Sequence, residues 1–139
     1  MEGDGVGARK EPLAPPDRVV VGVDLRSVGS TSGGMRFDIV VGTQCAGWLE
    51  LAGPGEVLRL SGEVSEQFRG RGVATAAVAV ACRIAYSVTG TRGVEAFVPN
   101  GLGAAHRVLE ANGFSVADLR EEPLRFEMNL TTWSRSTGR

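Results

Sequence analysis

The run from Val73 to Val88 constrains the fold more than any other stretch. It holds neither glycine nor proline and is apolar almost all round, with only Thr75, Arg83, Tyr86 and Ser87 interrupting. That length and pattern predict a helix closed by Gly90 and buried on more than one side. Its alanines allow close approach to a sheet. The flanking segments, "EVLRLSGEV" (56–64) and "GVEAFV" (93–98), read as strands. Strand, helix and strand in this order imply a right-handed crossover, with 56–64 and 93–98 paired in parallel.

The remaining elements follow from period and punctuation. "RVVVGVDL" (18–25), "MRFDIVVG" (35–42) and "QCAGWLEL" (44–51) are strand-like, and "SVGSTSGG" (27–34) has the chemistry of a loop. With 56–64 they predict a meander of four strands. Downstream, Leu102, Ala105, Val108 and Leu109 form one helical stripe closed by Gly113. "FSVADL" (114–119) and "LRFEMNL" (124–130) are two last strands around the turn "REEP". The order is ββββ-α-β-α-ββ, an α+β domain built on a single mixed, mainly antiparallel sheet. This domain is expected over 18–130. An acidic, glycine- and proline-rich leader (1–17) precedes it, and a loose tail (131–139) follows.

A chain of 139 residues fits one domain with a core of its own. Formal net charge is −1, which argues against a nucleic-acid partner. Cys45 and Cys82 are too few for a disulfide framework and are read as buried thiols, although one bridge stays open. No segment has the length of a membrane span, and the start lacks the pattern of a signal peptide. No cluster has metal-ligand spacing. The expectation is a cytoplasmic protein without metal or membrane contacts.

Function points to "QFRGRG" (67–72), between the fourth strand and the long helix. The first turn of a helix has unpaired N–H groups and partial positive charge. Gly70 and Gly72 let those groups face a ligand with no Cβ in the way, and Arg69 and Arg71 add charge. Together they suit phosphate or pyrophosphate. The plainer alternative is a tight turn with two solvated arginines. A Walker loop is excluded because Val73 and Ala74 stand where its Lys and Ser/Thr belong. The dinucleotide fingerprint is excluded because Thr75 replaces its third glycine.

The string matches Q-x-x-G-x-G/A, and "VSEQFRGRGVATAAV" resembles motif A of the GNAT superfamily of N-acetyltransferases. Within it, the branch that acetylates ribosomal-protein amino termini is the most similar. "VEAFV" (94–98) and "AAHRVLEANGF" (104–114) resemble the strand and second motif that follow in that branch. The resemblance covers about residues 56 to 130. It implies acetyl-CoA as co-substrate and a primary amine as acceptor, either a small molecule or a protein amino terminus. It also implies that the pyrophosphate rests on the loop from Phe68, Arg69, Gly70, Arg71 and Gly72 to Val73, Ala74 and Thr75. The pantetheine arm would pair with backbone near Glu63, Val64 and Ser65. Asn100 is a further cofactor candidate, with helix capping as its other role.

For proton removal from the amine, Glu95 is the first candidate and Glu63 the second. The reading of the residues alone leaves both as solvated strand glutamates. His106 is expected at the surface or partly packed, and Trp48 in the core. The chain departs from the family in two ways. The usual two helices after the first strand are replaced by the loop 27–34, so a homodimer or a large acceptor would have to complete the acceptor site. Leu109 stands where many members carry a tyrosine acid. These departures keep a non-catalytic acyl-CoA-binding or regulatory module as the alternative, and a phosphate-binding structural domain as a weaker one.

Overall fold

Period-two alternation along the strands decides which face of the sheet is covered. The computed structural model describes residues 22–31, 33–53, 55–88 and 90–136, so the expected leader and the first half of the first expected strand lie outside the described residues. Four strands come first: β1 (Val23–Thr31), β2 (Gly34–Val41), β3 (Gln44–Ala52) and β4 (Val57–Val64). Helix α1 (Val73–Ser87), strand β5 (Gly93–Val98) and helix α2 (Gly103–Ala111) follow. The chain then forms β6 (Ser115–Val116), β7 (Leu124–Asn129) and α3 (Leu130–Ser136). The sheet runs β1-β2-β3-β4-β5-β7-β6, and only the β4–β5 pair is parallel. This is the single mixed, mainly antiparallel α+β sheet expected from the sequence.

Phe37, Ile39, Leu49, Leu51, Leu58, Leu60, Val94, Ala96, Phe126 and Met128 are buried on one side of the sheet. α1 lies against β1, β3, β4 and β5 there and also touches α2 and α3. From Val73 to Cys82 no residue of α1 is exposed. The intervening strand residues, Arg36, Asp38, Trp48, Glu50, Arg59, Glu63, Glu95 and Glu127, occupy the opposite face. Among the described residues that face carries no helix. An antiparallel sheet tolerates this because its second face can be polar.

Several expectations are corrected. The loop expected over 27–34 is mostly strand: β1 continues to Thr31, pairing Ser30 with Met35 and Thr31 with Gly34. A bulge between Ser27 and Gly29 absorbs the polar, glycine-containing stretch, where Gly29 has φ +145°. The tail expected from 131 is helical through Ser136, and Trp133 is buried and stacks at a tilt on Tyr86, 5.9 Å between ring centroids. A single large aromatic side chain anchors that turn of helix against α1. The helix 73–88 ends at Ser87 with Val88 as its cap, ahead of Gly90. Leu102 is the residue before α2 and is exposed, outside the apolar stripe. The strand expected over 114–119 is only Ser115–Val116, and Leu130 starts α3 instead of ending β7. Both cysteines are free, and Cys45 is exposed where a buried thiol was expected. Trp48 is half-buried on the outer face under the Arg36 guanidinium, 4.3 Å from its ring centroid, and so is not a core residue.

Candidate functional site

The parallel ladder between β4 and β5 is short. It pairs Val57 with Gly93, Leu58 with Val94 and Arg59 with Glu95, and stops. Beyond that point β4 stays on β3 as far as the Gly47–Val64 pair, and β5 stays on β7 as far as Val98–Leu124. The facing edges of Leu60–Val64 and Ala96–Val98 therefore have no ladder between them. Glycines hold the end of β4 tightly to β3: a Cβ on Gly62 would fall 2.4 Å from the Trp48 carbonyl oxygen. Ser65 then donates its N–H to the Ala46 carbonyl (2.7 Å). The result is a wedge-shaped slot lined by backbone donors and acceptors, which need partners when covered.

The slot opens towards the glycine loop. After Ser65 the chain makes a 3-10 turn, Glu66–Phe68, pinned by the buried Phe68 ring. Gly70 and Gly72 both take left-handed conformations, φ +77° and +79°, which residues with a Cβ adopt at a cost. A Cβ on Gly70 would meet no atom within 4 Å, so the space in front of the loop is open. Gly72 is the N-cap of α1, and its carbonyl accepts from Ala76 (3.1 Å). Among the described residues the N–H groups of Gly70 to Thr75 meet no backbone carbonyl. This is a concave set of donors at a helix N-terminus, able to receive an anion.

The two arginines divide their work. Arg69 turns back to the strand: its Nε donates to the Val64 carbonyl (2.9 Å) and its Nη2 lies 3.4 Å from a Glu63 carboxylate oxygen. Arg71 stays exposed beside the Phe68 ring, 5.6 Å from its centroid, and no carboxylate among the described residues pairs with it. Among the described residues, Arg71 is thus the unpaired cation of the loop.

Of the two candidate bases, Glu95 sits at the closed end of the slot. It faces Arg59, its register partner, at 3.4 Å, and its side chain is 21% exposed. Arg59 also lies over the Phe97 ring, 4.5 Å from its centroid. Glu63, 66% exposed, sits four strand positions beyond Arg59 towards the loop, about 13 Å along the strand. Both carboxylates lie on the bare face. The structure therefore brings Glu63, Val64, Ser65 and the 68–75 loop together at one end of the slot and places Glu95 at the other.

Asn100 is exposed in the turn after β5. It is not the cap of α2, which begins after Leu102 without any side-chain cap bond. His106 is partly packed: its ring lies 5.2 Å from the Phe126 ring, and its Nε2–H donates to the Pro99 carbonyl (3.2 Å). Cys82 is buried in α1, which pushes its thiol up to about 12 and leaves it without a chemical role. Two residues escaped the sequence reading. Arg59 holds Glu95, a cross-strand partnership visible only in the register. Asn112 joins α2 to the first turn of α1, donating to the Thr75 and Val108 carbonyls at 3.1 and 3.0 Å. Among the described residues no group of His, Cys, Asp and Glu could hold a metal.

No protein-family model and no curated protein sequence matches the chain. Its fold, however, is shared with solved acetyltransferase structures. A spermidine N-acetyltransferase SpeG chimera of Vibrio cholerae and hSSAT superposes with a TM-score of 0.71 at 11% identity, covering 83% of this chain and 99% of the other. Mycobacterium smegmatis RimJ, in complex with CoA-disulfide, gives 0.63 at 18% identity over 77% of this chain and 61% of its own. Campylobacter jejuni N-acetyltransferase PseH, in complex with acetyl coenzyme A, gives 0.64 at 13% identity over 71% and 70%. The expected GNAT-like fold is thereby shown. The closer likeness to the ribosomal-protein branch is not singled out, since the spermidine N-acetyltransferase chimera and PseH superpose at least as well as RimJ does.

Proposed function

We propose that this protein is an acetyl-CoA-dependent N-acetyltransferase acting on a primary amine, by direct attack in a ternary complex. The observation that carries the reading is the parting of β4 and β5 directly below the unpaired N–H groups of the glycine loop. An anion cradle and an extended backbone slot lie end to end, as a nucleotide joined to an amide-bearing arm requires. When bound, acetyl-CoA supplies the activated acyl carbon and the thiolate leaving group. The N–H groups of Gly70 to Thr75, with the Arg71 guanidinium, hold the pyrophosphate, whereas the Arg69 N–H is already given to the Glu66 carbonyl (3.1 Å). The edge of β4 that faces β5, near Glu63, Val64 and Ser65, pairs with the arm. A β4 N–H stabilises negative charge developing on the acyl oxygen. Glu95 takes the ammonium proton of the acceptor, directly or through water, with Glu63 as the second candidate. The new C–N bond then replaces the C–S bond without an enzyme nucleophile.

The bare outer face bears on the acceptor. A pocket that selects a small ligand normally buries most of its surface, and no helix walls off this face among the described residues. We therefore favour peptide or protein amino termini as acceptors, or a second copy of the chain that closes the site. We read the protein as cytoplasmic, in keeping with its two free thiols. Thiol release from acetyl-CoA, across a panel of peptides and small amines, tests the proposal. Efficient peptide acetylation beside weak turnover of small amines is the expected result. CoA binding without any turnover would make the protein a non-catalytic acyl-CoA-binding module, and no CoA binding would remove the proposal.

A further inference from the structure

We infer that Asn112 is a positioning residue for the anion cradle, tuning its strength from the far side of α1. The inference rests on the acetyl-CoA reading of the loop. Asn112 is held in place by its own turn. Its N–H donates to the Leu109 carbonyl (3.0 Å), Gly113 follows with φ +90°, and Phe114 returns its N–H to Leu109 (3.0 Å) before burying its ring. This closure aims the amide of a half-buried side chain at α1. An amide NH₂ has two donor hydrogens, and the Thr75 and Val108 carbonyls take them at 3.1 and 3.0 Å.

The Thr75 carbonyl is the informative partner. Its peptide unit carries the Ala76 N–H, which donates to the Gly72 carbonyl (3.1 Å). The Gly72 peptide unit in turn carries the Val73 N–H, one of the unpaired donors of the cradle. Asn112, Thr75–Ala76 and Gly72–Val73 thus form one head-to-tail chain of hydrogen bonds ending at the ligand position. Each bond in such a chain polarises the next. Asn112 therefore does two things at once: it fixes the first turn of α1 against α2, and it strengthens the Val73 donor. Neither action reaches the β4–β5 slot, where Thr75 has no part.

The test compares two probes, CoA and pantetheine, which lacks the pyrophosphate. CoA binding is measured by calorimetry, and pantetheine binding by amide shifts along β4. In Asn112→Ala, folded by circular dichroism, CoA should bind on the order of tenfold more weakly, the scale of a lost hydrogen bond. Pantetheine affinity should change less than twofold. Asn112→Ser, with a shorter side chain and one donor, should fall between and decides the matter if Asn112→Ala does not fold. Equal weakening of both probes, or unchanged CoA affinity in either folded variant, would overturn the inference while leaving the acetyl-CoA reading intact. Wild-type protein that binds no CoA would overturn both.

Discussion

Gly70 offers the cleanest perturbation of the cradle, because charge can be varied there at constant shape. The position is left-handed, φ +77°, and a Cβ would meet nothing within 4 Å. Asn and Asp are the side-chain residues that visit this conformation most readily, at roughly 1–2 kcal/mol or less. Gly70→Asn and Gly70→Asp should therefore lose similar, small amounts of stability. Their effect on CoA should differ by electrostatics alone. A carboxylate about 6 Å from a pyrophosphate of two charges is repelled by about 1.4 kcal/mol at the dielectric of water and about 5.5 kcal/mol at an effective value of 20. The lower figure alone is about tenfold in affinity, and the middle of the range is roughly three hundredfold. Gly70→Asn should bind CoA within about threefold of wild type, in calorimetry at low salt, and Gly70→Asp at least tenfold more weakly. Raising ionic strength should narrow the gap between them, since the loop is exposed. Arg71→Ala should weaken binding by about 1 kcal/mol, as an exposed charge contact does. Equal CoA affinity in folded Gly70→Asn and Gly70→Asp would refute the placement of the pyrophosphate on this loop.

Glu95→Gln should lower turnover by ~100-fold with CoA affinity unchanged, and Glu63→Gln should lower it less; wild-type turnover in Glu95→Gln would remove that residue from the mechanism. Trp133→Ala should cost about 3–5 kcal/mol in urea unfolding, because its ring is buried against α1 and Tyr86; a loss under 1 kcal/mol would return α3 to the status of a loose tail. Native protein should show one thiol to a disulfide reagent, Cys45, and a second only after denaturation, because Cys82 stays neutral up to about 12. Since the unfolded thiol ionises from its ordinary 9.0, the Cys82 contribution to stability is whole below pH 9 and should be lost as pH rises from there to about 12.

Which parts of this protein were legible in its residues, and which were not, follows from the range of the forces involved. The glycine-free run of α1, the left-handed Gly70 and Gly72, and the alternation of Leu58 and Leu60 with Arg59 are local matters of φ, period and propensity. They are written wherever the residues stand, and so the α+β order and the loop before α1 could be read directly. Polar residues misled where pairing overrode propensity: Ser27 to Thr31 look like a loop, yet β2 offers them a ladder and the Gly29 bulge takes up the misfit. Trp133 misled in the opposite sense, because its buried ring, with Leu130 at the start of the helix, orders a segment that reads as polar from 131 on.

The site depended most on distance in sequence. No local signal says that the β4–β5 ladder stops at Arg59 and Glu95; that depends on how tightly β3 holds Gly62 and β7 holds Phe97. Nor does a string of residues say that Arg69 points back to Val64 while Arg71 stays free, or that Asn112 reaches Thr75 thirty-seven positions away. The chain's local chemistry made a glycine loop of unpaired N–H donors beside a sheet. Packing between segments far apart in the chain opened the slot below it, because only the sum of those contacts decides where two strands stop pairing.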